Sequence, residues 1–168
     1  MTSPYETLTG RKVETKSLAP GERKLLRQLM REYEARPSSD TFAASWTTKV
    51  IPRVTSLPAG ERTSHPLYLI AQDLELRLGV AEGSVAPPDY RDYIMDRIEV
   101  KFGSRYKFCK STGISQAALS QVLAGHKDFS LGRLQEIAEA LDLTLALLPA
   151  EDVSTSRQKR RRSPTRAG

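Results

Sequence analysis

The sequence is poor in the residues that build covalent or metal-based sites. Its 168 residues include one cysteine, Cys109, and two histidines, His65 and His126. A lone thiol excludes an intramolecular disulfide and a cysteine-rich zinc module. The histidines stand 61 positions apart with no Cys or His companion at ligand spacing, so both are read as structural or surface residues and no metal is expected. Long apolar runs are also missing. The longest aliphatic stretch, 143–148, falls far short of the about 20 residues that a membrane span requires, so no membrane partner is expected. Arg11, Lys12 and Lys16 near the start have no apolar run behind them, which argues against a secretory signal and for an intracellular protein. No glycine-rich phosphate loop occurs. Gly113-Ile-Ser115 opens like a nucleophile elbow, but Ala117 stands at the closing position. Glu136 and Glu139 lie three apart, a spacing that a solvated helix face explains without catalysis. Neither an enzyme nor a cofactor is expected.

What is present is an ordinary globular composition, 39% hydrophobic and 27% charged. The formal net charge of +6 is unevenly placed. Residues 1–84 hold 12 basic and 10 acidic side chains, 85–150 hold eight of each, and 151–168 hold six and two. The excess therefore belongs mainly to a tail over 150–168 that lacks hydrophobic periodicity and is expected to be disordered. Such a tail serves solubility, or acts as a non-specific nucleic-acid arm.

Residues 1–17 are polar and expected to be flexible, and residues 18–86 read as a helical region of unknown role. Leu26, Leu29, Met30 and Tyr33 form an i, i+3, i+4, i+7 stripe behind Pro20, predicting a helix over 20–35. Phe42, Trp46 and Val50 predict a shorter second helix that Pro52 interrupts. Leu57-Pro-Ala-Gly60 reads as a loop. Leu67, Ile70, Ala71, Leu74 and Leu78 predict a third helix over 66–78, closed by Gly79 and Gly83. Pro87-Pro88 marks a hinge, and Asp89 is a candidate cap for the next helix.

From there the pattern sharpens. Tyr93, Ile94, Ile98 and Phe102 share one helix face, and a short helix over 104–111 follows. Gly113 can take the positive φ needed where one short helix stops and the next departs steeply. Ile114 would fill the corner and Ser115 would cap the new helix, with Leu119 and Val122 turned inward. Gln116, Ala117, Ser120 and Gln121 are then left on an outward face without charge. Ser130 would cap a last helix with an apolar face of Leu131, Leu134, Ile137, Ala138 and Leu141. Between Val100 and Lys127 there is no acidic residue, yet Lys101, Arg105, Lys107, Lys110 and Lys127 are there. That window fits a phosphate-facing surface, although a solvated helix face would look the same.

The run Cys109-x3-Gly113-Ile-Ser-Gln116-x2-Leu119-Ser-x-Val122-x2-Gly125-x-Lys127, with Ser130-Leu131 and Ile137-Ala138-x2-Leu141, resembles the XRE family of lambda-repressor-like helix-turn-helix proteins. The resemblance covers about 90–145, and implies an XRE-like domain over 89–149 whose helix 115–124 enters the major groove of double-stranded DNA. It implies base-facing roles for Gln116, Ala117 and Gln121. Glutamine can pair with adenine through two hydrogen bonds. Arg105 stands where the family often has a phosphate-binding Gln, Cys109 where it usually has Ala, and Leu123 where many members carry an acid. Lys107, Lys110, His126 and Lys127 are further candidates for phosphate contact.

Alternation at Leu143, Leu145 and Leu147 predicts a short C-terminal β-strand over 143–148. A lone strand needs a partner, so a homodimer paired through it, or an intrachain pairing, is expected. The resulting fold class is all-α: an N-terminal helical region, then a lambda-repressor-like domain with a short strand. The function expected is sequence-specific DNA binding by a transcriptional regulator or antitoxin-like repressor. The alternative is a protein-interaction module that meets a partner, such as a toxin, through its N-terminal helices.

Overall fold

The computed structural model describes residues 4–146. A small antiparallel hairpin, β1 (Tyr5–Glu6) and β2 (Lys12–Val13), precedes eight helices. The first four are α1 (Pro20–Glu34), α2 (Ser39–Val54), α3 (Ala59–Arg62) and α4 (Pro66–Glu82). They are followed by α5 (Tyr90–Phe102), α6 (Arg105–Thr112), α7 (Gln116–Leu123) and α8 (Leu131–Ala140). The basic tail lies outside the described residues.

Two separate clusters of buried side chains organise these elements. The first joins α1, α2, α4 and the hairpin around Leu29, Phe42, Val50, Leu67, Ile70 and Ala71. Burying side chains such as Phe42 and Leu29 contributes about 1.5–3 kcal/mol each. Trp46 is buried here, its ring edge-on to Tyr68 at 5.7 Å and its indole N–H donating to Glu75 at 2.6 Å. The second cluster joins α5 to α8 around Ile98, Phe108, Leu119, Ile137 and Leu141, with Phe102 edge-on to Phe108 at 5.2 Å.

The expectation of a loose segment over 1–17 is corrected for its described part. Val13 and Leu18 are buried in the first cluster, and Gly10, at φ +78°, makes the turn. The hairpin is anchored by Asp73, the one buried charged residue among those described. Its carboxylate accepts from the Tyr5 hydroxyl, from the Leu8 amide at 2.7 Å and from Arg77 Nε at 2.6 Å. Burial, then the hydrogen bond to Asp73, holds the Tyr5 phenol above its ordinary pKa, so it remains a donor. The hairpin turn reaches the other half as well: Thr9 donates to Asp96 at 2.8 Å, Arg11 pairs with Asp96 at 3.2 Å, and Tyr93 donates to the Leu8 carbonyl at 3.2 Å. Two-residue strands carry no periodicity, which is why alternation could not reveal them.

Further differences have local causes. α2 runs through Pro52 to Val54, because Val50 and Val54 are both buried and hold the helix past the proline. Pro52 removes only the amide that would have bonded the Thr48 carbonyl, and the Arg53 guanidinium donates to the Lys49 carbonyl next to it. Ala59–Arg62, which overlaps the expected loop Leu57–Gly60, forms one helical turn. α4 continues past Gly79, where a Cβ would sit 2.8 Å from Val85 Cγ2, and ends at Gly83 with φ +78°. Tyr93 and Leu131 are exposed rather than buried with their stripes. The strand expected over 143–148 is absent from 143–146: the Leu143 amide bonds the Ala138 carbonyl at 2.8 Å and its side chain packs on the second cluster. Residues 147 and 148 lie outside the described residues.

Candidate nucleic-acid interface

Local chemistry sets the angle between α6 and α7. Ser104 caps α6 by accepting from the Lys107 amide at 3.3 Å. Gly113, at φ +72°, ends the helix with its amide on the Cys109 carbonyl at 2.9 Å. Ile114 is buried at the corner, and the Ser115 hydroxyl accepts from the Ala118 amide at 3.0 Å, as the sequence requires of a cap. Leu119 and Val122 face inward. Cys109 is buried beneath, and burial raises its thiol pKa, so the sulfur is a protonated packing group.

The outward side of α7 carries Gln116, Ala117, Ser120 and Gln121, all exposed. At 3.6 residues per turn they form two neighbouring rows, Gln116 with Ser120 and Ala117 with Gln121. The helix closes through amides of Gly125 and His126 on the Val122 and Gln121 carbonyls, both at 2.9 Å, with Gly125 at φ +75°. His126 and Lys127 follow immediately and are exposed.

On α6, Arg105, Lys107 and Lys110 are all exposed, with Arg105 at the first position, one turn before buried Cys109. Among the described residues, Arg105, Lys107, Lys110 and Lys127 make no ion pair and no side-chain hydrogen bond. Lys101 differs: its ammonium lies 2.7 Å from Asp142, holding that carboxyl below its usual pKa. Of the five cations in the acid-free window, four therefore make no ion pair among the described residues.

Three contributors escaped the sequence reading. Arg91 donates Nε to the Val122 carbonyl at 2.9 Å and also pairs with Asp128, tying α5 to the end of α7. Tyr90 donates to the same carboxylate at 2.6 Å, so the acid beside Lys127 is already engaged. Tyr106, 59% exposed between Arg105 and Lys107, adds an aromatic ring to the cationic surface. Its position in an acid-free basic stretch was the available signal; for Arg91 there was none, because its partners lie 31 and 37 positions away.

Two short helices at a glycine corner, the second capped by serine and presenting an uncharged polar face, define a helix-turn-helix domain. The helix-turn-helix family model matches residues 104–148, and no family model matches the N-terminal region. That stretch is thus an XRE-type, lambda-repressor-like helix-turn-helix of the DNA-binding kind. No curated protein and no solved structure matches the chain. Among the described residues no helix is long and apolar enough to cross a membrane, and no three His, Cys, Asp or Glu side chains gather as a metal site.

Proposed function

We propose that the protein is a sequence-specific regulator that places α7 in the major groove of double-stranded DNA. The observation that carries this reading is the exposed, uncharged face of α7 flanked by four basic side chains that make no ion pair among the described residues. Gln116 and Gln121 read base edges, each able to hold an adenine through two hydrogen bonds. The Ala117 methyl suits contact with a thymine methyl, and the Ser120 hydroxyl can donate or accept. Ser115 fixes the start of the helix. Arg105, Lys107, Lys110, His126 and Lys127 hold phosphates, which positions the domain and makes affinity fall with salt. The major groove of A-form RNA is too narrow for this insertion. An antitoxin-like repressor is the narrower form of the same reading, in which the N-terminal helices also hold a partner protein.

Selection from a random duplex library with the full chain tests the proposal. An enriched motif with A·T pairs at its centre of information is expected, and a palindromic motif would indicate two copies bound. Recovery of no motif at moderate salt contradicts it.

A further inference from the structure

Away from the helix-turn-helix, an open groove of about 810 Å³ lies between the N-terminal hairpin and α1. Its apolar floor comes from Tyr5, Leu26 and Met30, each only partly covered by the first cluster. Along it run Arg23, Arg27 and Arg31, exposed and spaced i, i+4, i+8 on α1. A rise of 1.5 Å per residue puts successive arginines about 6 Å apart along the helix. None of the three makes an ion pair or a side-chain hydrogen bond among the described residues, so their guanidinium groups are available to a ligand. Glu34 and Glu6 also line the groove.

We propose that this groove docks an acidic amphipathic helix of a partner protein. Leu26, Met30 and Tyr5 cover the apolar stripe of that helix, and the arginine row pairs with carboxylates that recur every fourth residue beside it, the spacing α1 itself presents. Charge complementarity selects the occupant. The chain's own segment 157–166, with six basic and no acidic residues, is repelled by the row. A nucleic-acid backbone would match the arginines but leave the apolar floor unused. The inference stands apart from the DNA reading, because none of these residues belongs to the helix-turn-helix.

The test uses the full chain and a labelled synthetic helix of about 18 residues, with Glu at every fourth position beside a Leu row. A peptide of the same composition with the Leu row scrambled serves as control. Anisotropy should show saturable binding of the first peptide that weakens with salt, and about tenfold weaker binding of the scrambled one. The R27E/R31E double variant should lose about tenfold or more of the peptide affinity while its melting temperature and its affinity for duplex DNA stay unchanged. R27Q/R31Q takes its place if charge reversal impairs folding. Failure of the wild-type chain to bind the peptide, or equal binding by the double variant, overturns the proposal. Loss of duplex binding in the double variant with the peptide unaffected also overturns it, and assigns the groove to nucleic acid.

Discussion

The two halves of the molecule arrange their unpaired cations differently. In the N-terminal half three cations are engaged with carboxylates, Arg77 with buried Asp73, Lys49 with Glu32 at 2.6 Å and Arg11 with Asp96 of α5, while Lys12, Lys16, Lys24, Arg36, Arg53 and Arg62, like the groove arginines, make no ion pair among the described residues. Across α6, α7 and the following turn, four cations likewise have no ion pair among the described residues, and no acidic residue lies between Val100 and Lys127 to break up the group. Exposed ion pairs contribute little stability, so a protein loses little by leaving cations unpaired where another molecule will neutralise them. What sets the α6–α7 surface apart is therefore the concentration of cations without acids, which suits a polyanion.

The sharpest way to break this division is to damage each core in turn. Phe42 and Phe108 are both fully buried, one in each cluster. Phe108→Ala and Phe42→Ala should each cost about 3–5 kcal/mol. Hydrogen exchange should then show amides of α6 and α7 opening first in the former, and amides of α2 and α4 in the latter. The same opening pattern in both variants would show that the two clusters do not unfold separately. Duplex binding should be lost with Phe108→Ala and kept by the folded fraction of Phe42→Ala.

A somewhat smaller effect is expected at the hairpin anchor. Asp73→Ala removes the acceptor for Tyr5, the Leu8 amide and Arg77 together, and should cost about 3 kcal/mol. Exchange protection of the Leu8 and Thr7 amides should vanish while α7 amides keep theirs. Unchanged protection at Leu8 would mean that Val13 and Leu18 hold the hairpin without the carboxylate.

The smallest effect concerns pH. Burial raises the pKa of Glu32, but hydrogen bonds from Lys49, Ser45 and Gln28 outweigh it and hold the carboxyl below its usual value. A carboxyl depressed in the folded state contributes stability above its unfolded pKa, and that contribution disappears as pH falls through the folded value. Urea midpoints measured across the acidic range should therefore decline less steeply for Glu32→Gln than for the natural chain. Parallel curves would remove the Lys49–Glu32 pair from the account.

Much of this was legible in the sequence, where side-chain chemistry and periodicity coincide. Gly113, Ile114 and Ser115 were each assigned a conformation or contact that the structure bears out, as were inward Leu119 and Val122. Stripes of period 3.6 found the long helices but not their ends: Pro52 and Gly79 read as breaks, and only the burial of Val54 and the return of Val85 over Gly79 explain why the helices continue. The hairpin was hidden because its support, Asp73 and Asp96, lies 65 or more positions away in the chain. Leu131 and Tyr93 fit their stripes by spacing yet are exposed, since periodicity gives direction around a helix but not whether anything lies opposite. For the candidate interface, residue types and exposure could be read from the sequence. Which cations are already paired could not, and Lys101 is the example.

The central claim is that α7 reads bases while its basic neighbours hold phosphates. Its most direct test is the affinity of Gln121→Ala and Lys127→Ala for a selected duplex and for random duplex over a range of salt. Gln121→Ala should weaken binding to the selected duplex by about 1–3 kcal/mol and leave random duplex unchanged. Lys127→Ala should weaken both alike and reduce the salt slope by about 0.9. Equal losses on both duplexes for Gln121→Ala would contradict the claim.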